Sequence, residues 1–191
     1  MFEAYIENDM DGKKTDSCNE DEKLVISAKK NLSEFRKIYE KWLNPVYRYC
    51  YFRVGNKNDA EDLTSQTFLK AYEGLPSYRH QGYFSAWLFS IARARVTDFY
   101  RKRKYDLPII EANHIYDENN LSAQVAKNVI LDQVYDMIHQ LPEKDKELLS
   151  LRFVAELTYP EIGVLLHRKE DAVRKAVSRI LERIKKEVDH E

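Results

Sequence analysis

Apolar residues recur at helical spacing along most of the chain, with polar residues at the positions between them. Over residues 24–52 this spacing predicts a helix that Pro45 either kinks or splits, because proline has no backbone N–H to donate. The next helix is predicted to begin at a cap formed by Asn58 or Asp59 and to end at Gly74. Its buried stripe is predicted to hold Ala60, Leu63, Thr67 and Ala71, with Phe68 and Tyr72 alongside.

A third amphipathic helix follows residues 75–82, whose Pro, Ser and Gly content is typical of a loop. It ends in the basic run from Arg101 to Lys104, where cations also suit the helix dipole. The apolar residues that mark this helix are Phe84, Trp87, Leu88, Ile91, Ala92 and Phe99. Residues 105–121 have no steady period and contain Pro108, so we expect a flexible linker there.

Helical spacing resumes near Ser122 and is interrupted at Pro142, which is a favourable first residue for another helix. That helix is predicted to bury Leu148, Leu149, Leu151 and Phe153. The pattern as a whole predicts an all-α fold of two small helical domains. The expected segments are an acidic mobile tail at 1–23, a first domain at 24–104, the linker at 105–121 and a second domain at 122–191.

The composition agrees with a helical protein and excludes several classes. The 191 residues include only 5 Gly and 5 Pro, and 33% are charged. No apolar run approaches the roughly 20 residues that a membrane-spanning helix needs. The chain has no basic start followed by an apolar stretch, so we expect a cytoplasmic protein. Cys18 and Cys50 have no metal-ligand spacing and do not indicate a disulfide framework.

Charge is distributed unevenly, although the formal net charge is only -1. Residues 1–22 hold two Lys against eight Asp and Glu. Residues 79–104 hold seven Lys and Arg against one Asp, and residues 168–186 hold eight against three acidic residues. Two basic segments suit a protein that touches DNA in two places, although solvated helix faces would give the same charge runs.

The segment 157–188 has the pattern of a helix-turn-helix. Thr158 and Glu161 have the spacing of a capping box, which predicts a short helix that ends at Leu166. After a tight turn at His167, a longer helix from Lys169 is predicted to bury Val173, Val177, Ile180, Ile184 and Val188. Its outward face is basic, as entry into a major groove requires, although an ordinary helical hairpin remains the alternative.

Two segments resemble the extracytoplasmic-function (ECF) class of bacterial sigma factors. The residues DAEDLTSQTFLKAY and AWLFSIARARVTDFYRKRK, within 58–104, resemble the family's second conserved region. The stretch that begins LPEKDKELLSLRFVAELTYPEIG resembles its fourth region, and the order and spacing agree. The resemblance implies a factor that gives RNA polymerase its promoter specificity. It also implies the polymerase core (the β′ clamp helices and the β flap), promoter DNA and an anti-sigma factor as partners.

The resemblance assigns roles to the predicted outward faces. An acidic face would dock on polymerase through Asp59, Glu61, Asp62, Gln66 and Leu69. The loop and the third helix would hold melted minus-ten DNA by stacking and by phosphate neutralisation, through Tyr78, Arg79, Tyr83, Trp87, Arg93, Arg95, Arg101, Lys102 and Arg103. Trp87 also fits an ordinary core position. The minus-thirty-five element would be read through Arg168, Lys169, Arg174, Lys175, Ser178 and Arg179.

The chain departs from the family pattern at several of these positions. Ser65 and Gln66 stand where Gln-Glu is frequent, and Ala94 stands where Asn is common. His167 replaces the usual turn glycine and Arg168 the usual apolar residue. The promoter sequence therefore does not carry over from relatives.

Two other functions account for less of the sequence than a sigma factor does. A metal-dependent nuclease would need Asp59, Glu61 and Asp62 to converge, but residues at these spacings point around a helix. The sequence therefore predicts no catalytic residue, metal or cofactor. A stand-alone helix-turn-helix regulator would explain residues 157–188 but would leave residues 59–104 without a purpose.

Overall fold

The computed structural model describes residues 15–79, 83–106 and 140–189. Over these ranges the chain forms helices and short turns and no strand, which confirms the predicted all-α fold. The predicted helix at 122–141 and the predicted linker lie mainly outside the described residues. Tyr105 and Asp106, which the prediction gave to the linker, are the last residues of the preceding helix.

In the part of the N-terminal unit that the structure describes, the chain forms four helices. Their bounds are α1 Thr15–Lys30, α2 Phe35–Val54, α3 Lys57–Gly74 and α4 Phe84–Asp106. Single 3-10 turns at Leu32–Glu34 and Leu75–Ser77 connect α1 to α2 and close α3. Helix α2 runs continuously through Pro45, so of the two predicted alternatives, a kink or a split, the split does not occur.

The start of α3 differs by two or three residues from the prediction. Asn56, with extended backbone angles, accepts a hydrogen bond from the Asp59 N–H at 3.1 Å and is the N-cap. Asn58 and Asp59 already belong to the first turn, where they cannot cap. The left-handed Gly55, with φ of 70°, ends α2 immediately before this cap and lets the chain reverse.

Helix α1 replaces part of the predicted mobile tail. It begins at Thr15 and buries Val25 and Ala28 against the rest of the unit. Asp21 is 5% exposed, accepts a hydrogen bond from the Trp42 indole at 3.3 Å and pairs with Lys41 at 2.9 Å. Residues 15–23 are therefore part of the folded unit, and residues 1–14 lie outside the described residues.

The core of the N-terminal unit is aromatic. Phe89 is completely buried, and its ring meets the edges of Trp42 and Tyr49 at centroid distances of 6.0 and 5.5 Å. The predicted stripe of α3 is confirmed at Ala60, Leu63, Thr67, Phe68 and Ala71. Tyr72 is 41% exposed and lies at the edge of this core.

The C-terminal unit is built from α5 Glu143–Leu149, a π-helical turn Ser150–Val154, α6 Tyr159–Leu166 and α7 Glu170–Asp189. Its core is aliphatic and consists mainly of Leu148, Leu149, Leu151, Leu157, Ile162, Val173, Val177 and Ile180. Phe153 was predicted to be buried but is 36% exposed, because the π-helical turn rotates it outward from the helix that the spacing assumed.

The two units pack directly against each other. Helix α4 contacts α6, and α2 contacts the π-helical turn. The buried apolar residues of both units form a single cluster. This arrangement brings together side chains that are more than 50 positions apart in the sequence, and it decides which predicted binding residues face solvent.

Candidate nucleic-acid and protein interfaces

The helix-turn-helix is fixed at its start by side-chain capping. The Thr158 hydroxyl accepts a bond from the Glu161 N–H, and the Glu161 carboxylate accepts one from the Thr158 N–H at 2.6 Å. This is the predicted capping box. Helix α6 ends at His167, which has the left-handed angles φ 53° and ψ 43°. A residue with a side chain thus occupies a conformation that glycine adopts more readily.

Gly163 is a structural residue that the sequence analysis missed. A Cβ atom at this position would lie 2.8 Å from the carbonyl oxygen of Arg168 and 3.6 Å from the backbone nitrogen of Glu170. Since both atoms belong to backbone, only a shift of the turn could make room. The signal was a glycine inside a short predicted helix, four residues before the turn, where it costs helix propensity.

The outward face of α7 and the turn before it is basic and exposed. All six residues predicted to contact the minus-thirty-five element are exposed: Arg168, Lys169, Arg174, Lys175, Ser178 and Arg179. Arg174 pairs with Glu170 at 2.8 Å, and its guanidinium lies 4.5 Å from the centre of the Tyr159 ring. These contacts hold Arg174 beside the turn at the start of α7. The inward face confirms Val173, Val177 and Ile180 as buried, whereas Ile184 is half-buried.

The predicted polymerase-binding face is the outward side of α3. Glu61, Asp62 and Gln66 are exposed, and the Gln66 amide donates to Asp62 at 2.6 Å. Leu69 is 57% exposed, the most of any large apolar residue described. Asp59 is half-buried, and its N–H donates to the Asn56 side chain at the start of α3.

Apolar residues extend this face beyond the acidic positions. Tyr39 and Tyr72 are 40% and 41% exposed, and each packs its ring edge-on against a buried phenylalanine, Phe68 and Phe35 respectively. Tyr72 was predicted to lie alongside the buried stripe of α3. The rings of both tyrosines border the acidic positions with exposed aromatic surface, and aromatic residues are enriched in protein-binding surfaces.

The residues predicted to stack on melted DNA are only partly accessible. Tyr78 is 6% exposed and packs against Phe84 and Trp87 at centroid distances of 5.7 and 4.8 Å, so its ring offers no open stacking face in this structure, and its contact with melted DNA stays a prediction. The Lys29 ammonium of α1 donates to the Tyr78 carbonyl and lies over its ring. Trp87 and Tyr83 are half-buried and Arg79 is exposed. Residues 80–82 lie outside the described residues.

The basic residues of α4 differ in their partners. Arg95 and Arg101 both pair with Asp98, at 3.4 and 3.0 Å, and Lys102 is exposed. The Arg103 guanidinium lies 5.8 Å from the centre of the Phe99 ring.

Arg93 instead reaches the C-terminal unit, where it makes two contacts with the Glu147 carboxylate at 2.6 and 3.2 Å. The hydrogen bond to Glu147 raises the pKa of Arg93, and burial offsets part of that rise. Arg93 is therefore charged and already engaged.

Within the described ranges no helix is long and apolar enough to cross a membrane. Among the same residues, His, Cys, Asp and Glu side chains do not gather into a group that could hold a metal ion.

Comparison with protein families matches both units to one family. Residues 38–105 match the model of Sigma-70 region 2, and residues 131–184 match that of Sigma-70, region 4. The ECF RNA polymerase sigma factor BldN of Streptomyces coelicolor is 32% identical over 146 residues, which is 73% of this chain but 54% of BldN. SigM of Bacillus subtilis is 29% identical over 78% of this chain and 91% of its own length. SigD of Mycobacterium bovis is 30% identical over 75% of this chain and 71% of its own length.

Two solved structures share the fold. CnrH, in complex with the cytosolic domain of CnrY, has a TM-score of 0.65 at 19% identity and covers 88% of this chain and 96% of its own. The sigma factor RpoE of Bartonella quintana, in complex with the anti-sigma factor NepR, has a TM-score of 0.65 at 20% identity. The match covers 80% of this chain and 95% of RpoE. Both regions match in order, and the curated relatives align over most of the chain. The chain therefore belongs to the ECF family of RNA polymerase sigma factors.

Proposed function

We propose that this sigma factor directs transcription initiation through three separate surfaces and contributes binding energy without catalysing a covalent reaction. Helix α3 would dock on the polymerase core, α7 would bind the minus-thirty-five element, and α4 with the loop before it would hold melted minus-ten DNA. The observation that carries the proposal is the match of both units, in order, to sigma regions 2 and 4. The cytoplasm, where polymerase acts, is the proposed location.

The α3 surface fits a basic protein partner. Glu61 and Asp62 are exposed at its centre, and Leu69 supplies an accessible apolar contact. Complementary charge would steer polymerase to this face and set the orientation of the complex, whereas the apolar border would slow its dissociation. The β′ clamp helices are the proposed partner.

The α7 surface fits duplex DNA. The N-terminal residues of a recognition helix reach base edges, while basic residues nearby neutralise phosphates. Arg174 and Lys175 lie on the exposed side of its first two turns. Arg168 and Lys169 precede the helix at the turn, where contacts to the phosphate backbone would set its register.

The α4 surface is the least accessible of the three in this structure, where the two units pack against each other. Arg101 and Lys102 are exposed at its far end and would neutralise phosphates of a single strand. Tyr83 and Trp87 are half-buried, so a flipped base would reach them only at their exposed edges. Stacking on Tyr78 would require its aromatic cluster to open.

The test is transcription in vitro with purified polymerase core over a promoter library. Promoter-dependent transcripts support the proposal, and a chain that fails to bind core in a pull-down, whatever its DNA affinity, would instead be a stand-alone helix-turn-helix regulator. Asp62→Lys should abolish core binding without unfolding the protein, whereas Glu40→Lys reverses an exposed charge on α2 as the matched control.

DNA binding has its own pair of variants. Arg174→Ala and Lys175→Ala should each weaken binding of upstream-element duplex by about fivefold to a hundredfold, at roughly 1–3 kcal/mol per base contact. Lys186→Ala removes an exposed cation near the far end of the same helix and should have a smaller effect. Equal effects from all three variants would refute the placement of Arg174 and Lys175 in the groove.

An anti-sigma protein is a further proposed partner. CnrH was solved with the cytosolic domain of CnrY, and RpoE with the anti-sigma factor NepR. Both share this fold, and the exposed face of α3 gives such a partner a surface that polymerase would also need.

A further inference from the structure

Among the described residues, the ion pairs between the two units share one polarity. The N-terminal unit supplies the guanidinium of each pair and the C-terminal unit supplies the carboxylate. The three pairs are Arg48 with Glu156 at 2.9 Å, Arg53 with Glu143 at 2.9 Å and Arg93 with Glu147 at 2.6 Å. A basic edge of one unit thus faces an acidic edge of the other.

The Arg93–Glu147 pair has the geometry by which arginine binds an oxyanion. Two guanidinium nitrogens, Nε and an Nη, contact the two carboxylate oxygens at 2.6 and 3.2 Å. A phosphate presents the same pair of oxygens to the same donors. While Glu147 is in place, Arg93 cannot make that bidentate contact with a nucleic-acid backbone.

A buried hydrogen bond extends the interface to the start of α4. The Ser85 hydroxyl donates to the Glu161 carboxylate at 2.6 Å, and the two residues are 0% and 8% exposed. The first turn of α4 therefore lies under α6. A nucleic-acid strand along α4 could reach its exposed far end but not this turn.

The polar part of the contact is suited to reversible opening, whereas the apolar cluster shared by the units favours the packed arrangement. The Arg48–Glu156 pair is about half exposed on both sides, and such pairs are individually weak and screened by salt. Parting the units would also return the Ser85 and Glu161 polar groups to water, where they are solvated. A polyanion, which offers many phosphates at once, can compete with three carboxylates.

We propose that the acidic edge formed by Glu143, Glu147 and Glu156 is an internal phosphate mimic. It holds the free protein closed by occupying the basic edge formed by Arg48, Arg53 and Arg93, and it must be displaced before a nucleic-acid strand can run along the whole of α4. The consequence for DNA rests on the proposed function, but the closed contact itself does not.

The first test measures the distance between the units in the full chain. Donor and acceptor dyes are attached to cysteines introduced at Lys70 and Glu182, with Cys18→Ser to remove another thiol. The double variant Glu143→Gln/Glu147→Gln should lower energy transfer and raise the affinity for a single-stranded oligonucleotide about three- to tenfold, as the open fraction increases. The variant Glu40→Gln/Asp171→Asn removes two exposed acidic charges outside the edge and should leave energy transfer unchanged.

A charge swap gives an independent readout that excludes simple unfolding. Arg48→Glu should open the protein, and adding Glu156→Arg should restore energy transfer, because the pair is then reversed in sign. Restoration supports the mimic, whereas unchanged energy transfer in both the amide double variant and Arg48→Glu overturns it.

Energy transfer in the amide double variant could fall without any gain in affinity for the oligonucleotide. That result would show that the contact does not compete with nucleic acid, and it would overturn the mimic while leaving the sigma function intact. If the variants open as expected but the wild-type protein supports no promoter-dependent transcription, the proposed function is contradicted instead.

Discussion

The two helical units obtain a defined structure in different ways. The N-terminal unit fills its interior with large rings, and Phe89 lies between Trp42 and Tyr49 at its centre. The C-terminal unit has a small aliphatic core and relies on backbone devices around a turn. Those devices are the capping box at Thr158, the left-handed His167 and the close approach at Gly163.

This difference determines where each unit is vulnerable. A core of interlocking rings is sensitive to lost volume, because the space left by a ring is only partly refilled. A turn fixed by backbone contacts is sensitive to the addition of a single atom, because a backbone carbonyl can move only if the chain around it moves as well. The following variants separate the two kinds of sensitivity, in order of decreasing effect.

Phe89→Ala should cost roughly 3–5 kcal/mol of unfolding free energy, because it leaves a cavity among rings that cannot close over it. Urea titration of the full chain measures the loss. Phe153→Ala is the matched control, since Phe153 is 36% exposed, and should cost much less. Equal losses at the two positions would contradict the view that the aromatic core carries the N-terminal unit.

Gly163→Ala should cost about 1–3 kcal/mol, because the added methyl group would overlap the Arg168 carbonyl. The shift of the turn should also weaken binding of upstream-element duplex. Val164→Ala, at the next position on α6 and 41% exposed, tests the same helix without that overlap. A stabilised Gly163→Ala variant, as helix propensity alone would predict, would show that the turn yields easily.

Thr158→Ala should cost about 1 kcal/mol, because it removes the N-cap oxygen of α6. Thermal unfolding measures the change. Thr97→Ala is a control with the same chemical change inside α4, where the hydroxyl binds the Arg93 carbonyl. It should be neutral or slightly stabilising, since threonine is a weaker helix former than alanine. Loss of stability in both variants would argue against a capping effect.

Asp21→Asn should have the smallest effect at neutral pH and a clear effect on pH dependence. Burial raises the pKa of Asp21, even though its bonds to Lys41 and Trp42 lower it. Above the ordinary value of 3.8 the folded protein binds more protons at this site than the unfolded chain. Its contribution to stability is thus present below the ordinary pKa and lost as pH rises through the raised one.

Relative to Asp21→Asn, the wild type should therefore lose unfolding free energy as pH rises above the ordinary aspartate pKa. Parallel curves over that window would contradict the burial of an ionisable Asp21 beneath α2.

Helical spacing predicted the solvent-facing sides of α3 and α7 at most positions. It placed Glu61, Asp62 and Gln66 outside and Val173 and Val177 inside, as the structure has them. Spacing within a helix describes only that helix's own neighbours, however. The placement of the whole second unit depends on contacts across long stretches of sequence.

Residues whose surroundings come from distant segments were therefore the ones predicted poorly. Tyr78 is covered by Phe84 and Trp87 from the next helix and is held by Lys29 from α1. Arg93 was expected to be free for DNA, yet its partner Glu147 is 54 positions away. The family resemblance indicated what such residues do in a complex with DNA and could not indicate their partners in the free protein.

Glu161 shows how two requirements can be joined in one side chain. One carboxylate oxygen accepts from the Thr158 backbone and hydroxyl, and the other accepts from Ser85 across the interface. Changes at Ser85 and Thr158 should consequently be epistatic, although the two residues belong to different units. Selection acting on the rigidity of the DNA reader would alter the ease of opening as well, so the two traits would evolve together.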